Sequence, residues 1–185
     1  MDKLPKYSGW IEIICGPMFS GKTEELIKRI TRIKIAKQSF IIIKPKTDFR
    51  YSDTFIVSHN NRKIECMIVN KVAEILKAGK NYDVIGIDEV QFFTDEIIDI
   101  CRKLANSGKR IILSGLDKDY AAMPFGPIPQ LMADAEYITK LSSICISCGD
   151  LASFSKRITS EKKQVVIGES DKYEARCRRC YYKED

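Results

Sequence analysis

The run Gly16-Pro17-Met18-Phe19-Ser20-Gly21-Lys22-Thr23 constrains this chain more than any other stretch. It fits the pattern G-x-x-x-x-G-K-[ST]. The apolar run Trp10–Cys15 precedes it and the amphipathic stretch Glu24–Gln38 follows it. A buried strand, a glycine-bounded loop and a helix start in that order make a cradle for phosphate. The glycines permit a tight turn and a close backbone approach to an anion. Loop N–H groups then point inward, and the positive end of the helix dipole favours negative charge. Lys22 is placed to reach terminal phosphates, and the Thr23 hydroxyl to ligate Mg²⁺. A glycine-rich turn without a ligand would leave the ordered flanks unexplained.

The 185 residues suffice for one domain of ordinary size with a small appendage. With 44% hydrophobic and 30% charged residues the chain reads as globular. The net charge of +6 is scattered, with no basic run longer than Lys162-Lys163 or Arg178-Arg179. That suits a nucleotide substrate and does not point to a nucleic-acid partner. Residues 1–9 are short and polar without a signal-peptide core, and no apolar run nears the roughly 20 residues that cross a bilayer. The expectation is a cytoplasmic protein with no membrane partner. Seven cysteines, an odd count without a signal, argue against a disulfide framework.

Up to residue 143, short Ile/Val-rich runs alternate with helical patterns. Strands are expected at Trp10–Cys15, Phe40–Lys44, Asp83–Asp88 and Arg110–Ser114. Their lack of polar alternation is how strands covered on both faces of a parallel sheet read. A helix over Lys22–Lys37 places Leu26, Ile30, Ile33 and Ala36 on one face. Another over Val72–Lys77 ends with Gly79 as its C′ residue, and Thr94 caps a third over Asp95–Ser107. Such alternation implies an α/β domain. Phe55–Ser58 and Ile64–Val69, flanking His59-Asn60-Asn61-Arg62, read as a hairpin attached to the main sheet. Leu116–Pro129, with three prolines, reads as a stiffened loop. The character changes again at Cys145, which places a boundary near Leu141 and divides the chain into 1–141 and 142–185.

Asp88-Glu89 follows the apolar run Val84-Ile85-Gly86-Ile87, a Walker-B arrangement. The strand delivers Asp88 at its C-terminal end, where open α/β sheets bind ligands. Asp88 then holds Mg²⁺, and Glu89 is free to accept a proton from an attacking hydroxyl or water. Asp48-Phe49-Arg50 follows the second strand; Arg50 either contacts phosphate or forms a surface ion pair, and the residues alone leave both open. His59, the single histidine, sits at the hairpin tip and reads as a solvated turn residue.

Cys145-x-x-Cys148 and Cys177-x-x-Cys180 are two C-x₂-C knuckles separated by 28 residues. Thiolates at this spacing suit one tetrahedral Zn²⁺, and four sulfurs leave no open position, so the site is structural. Redox dithiols are the competing reading, but such a pair opens a helix beside a βαβ unit, and neither pair is expected to open a helix. Cys15, Cys66 and Cys101 read as core filler. Gly149–Arg176, pinned at both ends by the metal, is either a lid over a ligand or a surface hairpin; the need for an acceptor site beside the phosphate loop favours the lid.

With these residues assembled, the chain resembles the type II thymidine kinases, the zinc-containing cytosolic family with cellular, bacterial and poxvirus members. The resemblance runs from Trp10 to Tyr182. It is carried by Gly16–Thr23, Asp48-Xaa-Arg50, Asp88-Glu-Val-Gln-Phe-Phe93, Gly115-Leu-Asp117, Pro124-Phe-Gly126, the four cysteines and Asp171-Lys-Tyr173. The detail looks more bacterial than animal. The resemblance implies a P-loop, RecA-like core with a parallel sheet, plus a small C-terminal zinc-ribbon-like lid. It also implies transfer of a phosphoryl group from ATP to the 5′-hydroxyl of thymidine, with Mg²⁺ and one structural Zn²⁺ per chain.

Carried over by residue, Glu89 resembles the general base. Gly16, Pro17, Met18, Phe19, Ser20, Gly21, Lys22 and Thr23, with Asp48, Arg50, Asp88 and Gln91, fall on the ATP side, and Gln91 also lies with Phe92 near the acceptor. Leu116, Phe125, and Tyr120 as a stacking ring, fall on the thymidine side. So do Gln164, Val165, Val166, Ile167 and Gly168 as a main-chain clamp, and Tyr173. Met18 and Ser155 match positions lining a 5-methyl pocket. A homotetramer and feedback inhibition by dTTP are further implications. Two other functions use the same parts: a nucleic-acid-stimulated ATPase, for which a second motor domain and an aromatic-basic groove are missing, and a zinc-ribbon module that senses nucleotide without turnover.

Overall fold

The computed structural model describes residues 9–46, 55–57, 63–161, 164 and 171–183. In chain order, β1 (Trp10–Cys15) leads into α1 (Lys22–Ile35) and β2 (Phe40–Pro45). The short strands β3 (Phe55–Val57), β4 (Lys63–Glu65) and β5 (Met67–Val69) precede α2 (Val72–Gly79) and β6 (Val84–Ile87). After a 3₁₀ turn at Val90–Phe92 come α3 (Glu96–Asn106), β7 (Arg110–Gly115), α4 (Ile128–Asp134) and β8 (Tyr137–Lys140). The chain ends in β9 (Ser143–Ile144), β10 (Leu151–Ala152), β11 (Phe154–Arg157), β12 (Tyr173–Arg176) and α5 (Arg178–Tyr182).

Among the described residues, the main sheet has six strands in the order β5-β2-β6-β7-β1-β8, and every neighbouring pair is parallel. Successive side chains of a strand point to opposite faces, and two cores result. Ile11, Ile13 and Cys15 join α2, α3 and α4 residues on one face; Ile14 joins Leu26, Ile27, Ile30 and Ile33 of α1 on the other. Each of these α1 side chains is buried, contributing roughly 1.5–3 kcal/mol. Glu12 lies buried on the α1 side. It accepts from Arg29 (2.7 Å), Arg110 (2.6 Å) and the Trp10 indole (2.7 Å).

Several elements depart from the sequence reading for physical reasons. The buried face of α1 includes Ile27, and Ala36 is an exposed C-cap residue, because the helix stops at Ile35. Gly79 lies inside α2 rather than beyond it; a Cβ there would come within 3.1 Å of Leu104 on α3, so the glycine serves helix packing. The cap of α3 is Asp95, and no side chain caps it. The hairpin's second arm splits at Cys66: β4 pairs antiparallel with β3, while β5 joins the main sheet beside β2. The stiffened loop ends early, since α4 begins at Ile128 with proline in its first turn, where the missing N–H costs nothing. The edge strand β8 is unannounced by its sequence, being half exposed and only four residues long.

The cysteine-rich segment carries two separate two-stranded antiparallel ribbons, β9–β10 and β11–β12. Cys177 turns out to open a helix, α5, and its sulfur accepts from the Cys180 amide. The preceding strand is antiparallel, so this is not the βαβ setting of a redox dithiol. Among the described residues, no helix is long and apolar enough to cross a membrane.

Candidate active site

Parallel strands bring their C-terminal ends to one edge. Cys15 pairs in register with Gly115, and Ile87 with both Leu113 and Ile43. The loop after β1, the acids after β6 and the turn after β7 therefore emerge side by side, where open α/β sheets bind ligands.

The loop is shaped by backbone conformations that favour glycine. Gly16 has φ 147° and Gly21, at the N-cap of α1, has φ 80°. A Cβ on Gly16 would meet the Leu141 carbonyl at 2.4 Å. Phe19 also holds a left-handed φ of 62°. The Lys22 ammonium donates to the Pro17 carbonyl (2.6 Å), as does the Ser20 hydroxyl (2.8 Å). The lysine is thus folded back over its own loop.

Across from it, the Thr23 hydroxyl donates to Asp88 Oδ2 at 3.3 Å, and Asp88 is buried. A hydroxyl and a carboxylate side by side are the hard oxygen ligands that a divalent cation of the Mg²⁺ type takes. Glu89 follows in the left-handed region (φ 52°, ψ 41°), its amide donating to Asp88 Oδ1 (3.1 Å). For a residue with a Cβ that conformation costs roughly 1–2 kcal/mol. The carboxylate is held by Gln91, whose Nε2 donates to Glu89 Oε2 at 2.5 Å while its Oε1 accepts from the Leu116 amide at 3.1 Å. Gln91 is buried between two glycines that leave it room. A Cβ on Gly115 would come within 2.5 Å of its Oε1, and one on Gly126 within 2.5 Å of its carbonyl oxygen.

Phe92 and Phe125 meet edge to face at 5.8 Å. The Arg157 guanidinium lies 3.6 Å from the centroid of Tyr120 and donates to the Tyr173 hydroxyl (2.8 Å) and the Gln164 carbonyl (3.0 Å). Gln164 in turn donates to Asp119 Oδ2 (3.0 Å). The Met18 amide donates to the buried Ser155 hydroxyl (2.9 Å).

The four knuckle sulfurs, Cys145, Cys148, Cys177 and Cys180, all lie within 4.8 Å of one another and none is in a disulfide. Cys148 and Cys177 are 3.6 Å apart, near the roughly 3.8 Å edge of a tetrahedron with metal–sulfur bonds of about 2.3 Å. Burial works against ionising Cys145, but the backbone amides of Cys177, Cys148 and Ser147 outweigh it and hold the thiol low. Hydrogen bonding to Cys148 and Cys177 pushes Cys180 up. Four sulfurs so close cannot all be thiolates without a cation among them, so the cluster fits a metal ion.

A family model for thymidine kinase matches residues 9–181. The chain belongs to the thymidine kinase family. The thymidine kinase of Bacteroides thetaiotaomicron is 53% identical over 173 residues, covering 94% of this chain and 87% of that one. That of Rhodothermus sp. is 51% identical over 173 residues, covering 94% and 81%. Among solved structures, the genome packaging NTPase B204 of Sulfolobus turreted icosahedral virus 2 aligns with a TM-score of 0.47. It is 22% identical, over 74% of this chain and 75% of that one; the functional reading rests on the sequence relatives.

Most residues by which the chain resembles thymidine kinases converge on this edge: the loop, Thr23, Asp88, Glu89, Gln91, Phe92, Leu116, Tyr120, Phe125, Ser155, Gln164 and Tyr173. Asp48 and Arg50, His59, and Val165, Val166, Ile167 and Gly168 lie outside the described residues. Gln91 is turned to Glu89 rather than to the phosphate loop.

Sequence reasoning assigned no site role to several participants. Asp119 is buried and its Oδ1 accepts from the amides of Ala121 (2.9 Å) and Met123 (3.0 Å), an Asx-type turn that Asp119-Tyr-Ala-Ala could have signalled. Asp117 pairs with Lys140 at 2.8 Å, which raises the lysine's pKa. Burial, and then the Asp117 carboxylate, pushes the Cys15 thiol beneath the loop up. Arg157 and Ser143 carry no signal in one dimension. Both act on residues that only the fold brings near.

Proposed function

We propose that this member of the thymidine kinase family transfers the γ-phosphoryl group of ATP to the 5′-hydroxyl of thymidine, with Glu89 as general base. The observation that supports this reading is the chain of contacts Thr23–Asp88–Glu89–Gln91, which joins the start of α1 to the acids after β6.

The loop amides and Lys22 bind the donor phosphates, Lys22 exchanging the Pro17 carbonyl for phosphate oxygens. Thr23 and Asp88 would hold Mg²⁺, which neutralises charge on the β- and γ-phosphates. Thymidine enters between Phe92, Phe125, Tyr120 and Tyr173, with Met18 and Ser155 at the 5-methyl end, and Leu116 and the segment from Gln164 to Gly168 around the base. The 5′-oxygen attacks the γ-phosphorus, the bond to the β-phosphate oxygen breaks, and Glu89 takes the hydroxyl proton. Gln91 keeps that carboxylate aimed. Asp48 and Arg50 complete the donor side.

Cys145, Cys148, Cys177 and Cys180 would hold one structural Zn²⁺, which cross-links the two ends of the lid segment. We read 1–141 as the nucleotide-binding unit and 142–185 as the zinc-bearing lid. A homotetramer, inhibition by dTTP and a cytoplasmic location follow from the family resemblance.

The test is a coupled kinase assay over a nucleoside panel, with Glu89→Gln beside the wild type. Thymidine should be turned over in preference to deoxycytidine. The variant should bind ATP nearly as before while kcat falls about 10²-fold or more. Near-normal turnover by Glu89→Gln would remove the glutamate from its role.

A further inference from the structure

The phosphate loop is held from outside its own strand and helix. Phe19 sits in the left-handed region, which a residue with a Cβ adopts only when its surroundings impose it. Such a turn lets successive N–H groups face one concavity, the arrangement that binds anions. The contacts that impose it come from the C-terminal segment. The Ser143 hydroxyl, on β9, donates to the Phe19 carbonyl at 3.1 Å. The Met18 amide is taken by Ser155 on β11 at 2.9 Å. The Phe19 side chain packs against the buried cluster of Cys145, Ala152, Ala175 and Cys177, two of which belong to the sulfur cluster. The entry to this segment is also strapped to the loop: the Leu141 amide donates to the Cys15 carbonyl (2.8 Å), and the Leu141 carbonyl faces Gly16 too closely for any Cβ.

We infer that Ser143 and Phe19 are positioning residues of the donor site, through which the metal-binding segment sets the conformation of the phosphate loop as well as covering the acceptor. The inference rests on the reading of Gly16–Thr23 as the donor loop. Its consequence is that the sulfur cluster, through the buried cluster against which Phe19 packs, governs ATP binding even when no thymidine is present. Ser143 is the cleaner probe, since it touches a main-chain carbonyl and neither substrate nor sulfur in the contacts described.

The experiment is calorimetric titration of the metal-loaded protein with MgATP alone, for wild type, Ser143→Ala and Ser143→Thr. It is repeated on wild type after chelation under reducing conditions. Fluorescence of Trp10, the single tryptophan, on β1, reports whether the main sheet stays folded. Losing one side-chain-to-backbone hydrogen bond should weaken MgATP roughly three- to tenfold in Ser143→Ala, with recovery in Ser143→Thr. The KM for ATP should rise in parallel while the KM for thymidine and the metal content hold. Chelation should weaken MgATP at least as much with the Trp10 signal unchanged. Should Ser143→Ala fail to fold, the chelation arm decides alone. MgATP affinity that is unmoved by chelation, and by Ser143→Ala where it folds, overturns the inference. A wild type that binds no MgATP overturns instead the donor-loop reading beneath it.

Discussion

Gln91 is a side chain whose replacement separates holding the proposed general base, Glu89, from being it. It is buried, it donates to Glu89 Oε2 at 2.5 Å, and it accepts from the Leu116 amide at 3.1 Å. Gln91→Leu keeps about the same volume and removes both bonds. A hydrogen bond to an ionised acceptor is worth about 1.5–3 kcal/mol. If that energy serves to hold Glu89 toward the transferring proton, its loss lowers kcat by roughly 10- to 150-fold, at about 1.4 kcal/mol per tenfold. The Leu116 amide is left without its acceptor, which costs stability by about 1–3 kcal/mol. The assay is steady-state turnover with ATP and thymidine varied separately, together with a denaturant melt. The decisive step is the double variant with Glu89→Gln. A residue that acts through Glu89 has little left to lose once the carboxylate is gone, so the two effects on kcat should fall well short of additivity. Fully additive losses, or a kcat unchanged by Gln91→Leu, would refute the positioning argument.

Two further outcomes follow from the cations and anions of the fold. Metal analysis of the purified protein should find about one zinc per chain at the four cysteines, and Cys148→Ser should weaken its retention; no zinc with all thiols titratable would sink the assignment. Glu12 predicts an acid limb of stability. Burial alone would raise its pKa, but the Arg110 guanidinium and the Trp10 indole, with Arg29, outweigh burial and hold the carboxyl below its ordinary 4.5. A carboxyl depressed in the folded state stabilises fully above its unfolded value and loses that contribution as pH falls through the folded one. Glu12→Gln should therefore cost about 3 kcal/mol near neutral pH, at the low end for a broken buried pair because Arg110 is a quarter exposed. The difference from wild type should shrink below pH 4.5, and a pH-independent difference in urea melts would contradict the ion-pair account.

What the sequence determined by itself is local and periodic. The loop between β1 and α1 was legible because the glycines, the lysine, the apolar run before and the amphipathic run after are contiguous, and each encodes its conformation within a few residues. The strand cores were legible for the same reason. Two-faced burial leaves continuous Ile/Val runs, and all four expected strands are present within a residue or two at their ends. The cysteine pairs were legible as metal-ligand spacing.

Tertiary structure decided what depends on long-range partners. Gly79 reads as a helix stop until α3 is seen pressing on it. β8 becomes a strand because β1 offers it an edge, and the hairpin arm divides at Cys66 because two different strands compete for it. The two cysteine pairs become one cluster only when β12 brings the second beside the first. Glu89 follows Asp88 in sequence, but Gln91, wedged against Gly115, aims it. Ser143 lies 124 residues from Phe19 and reaches its carbonyl only in the fold. Hydrophobic period and turn chemistry select conformations a few residues long. Which hydroxyl satisfies which distant carbonyl is settled when the elements pack and buried polar groups must find partners.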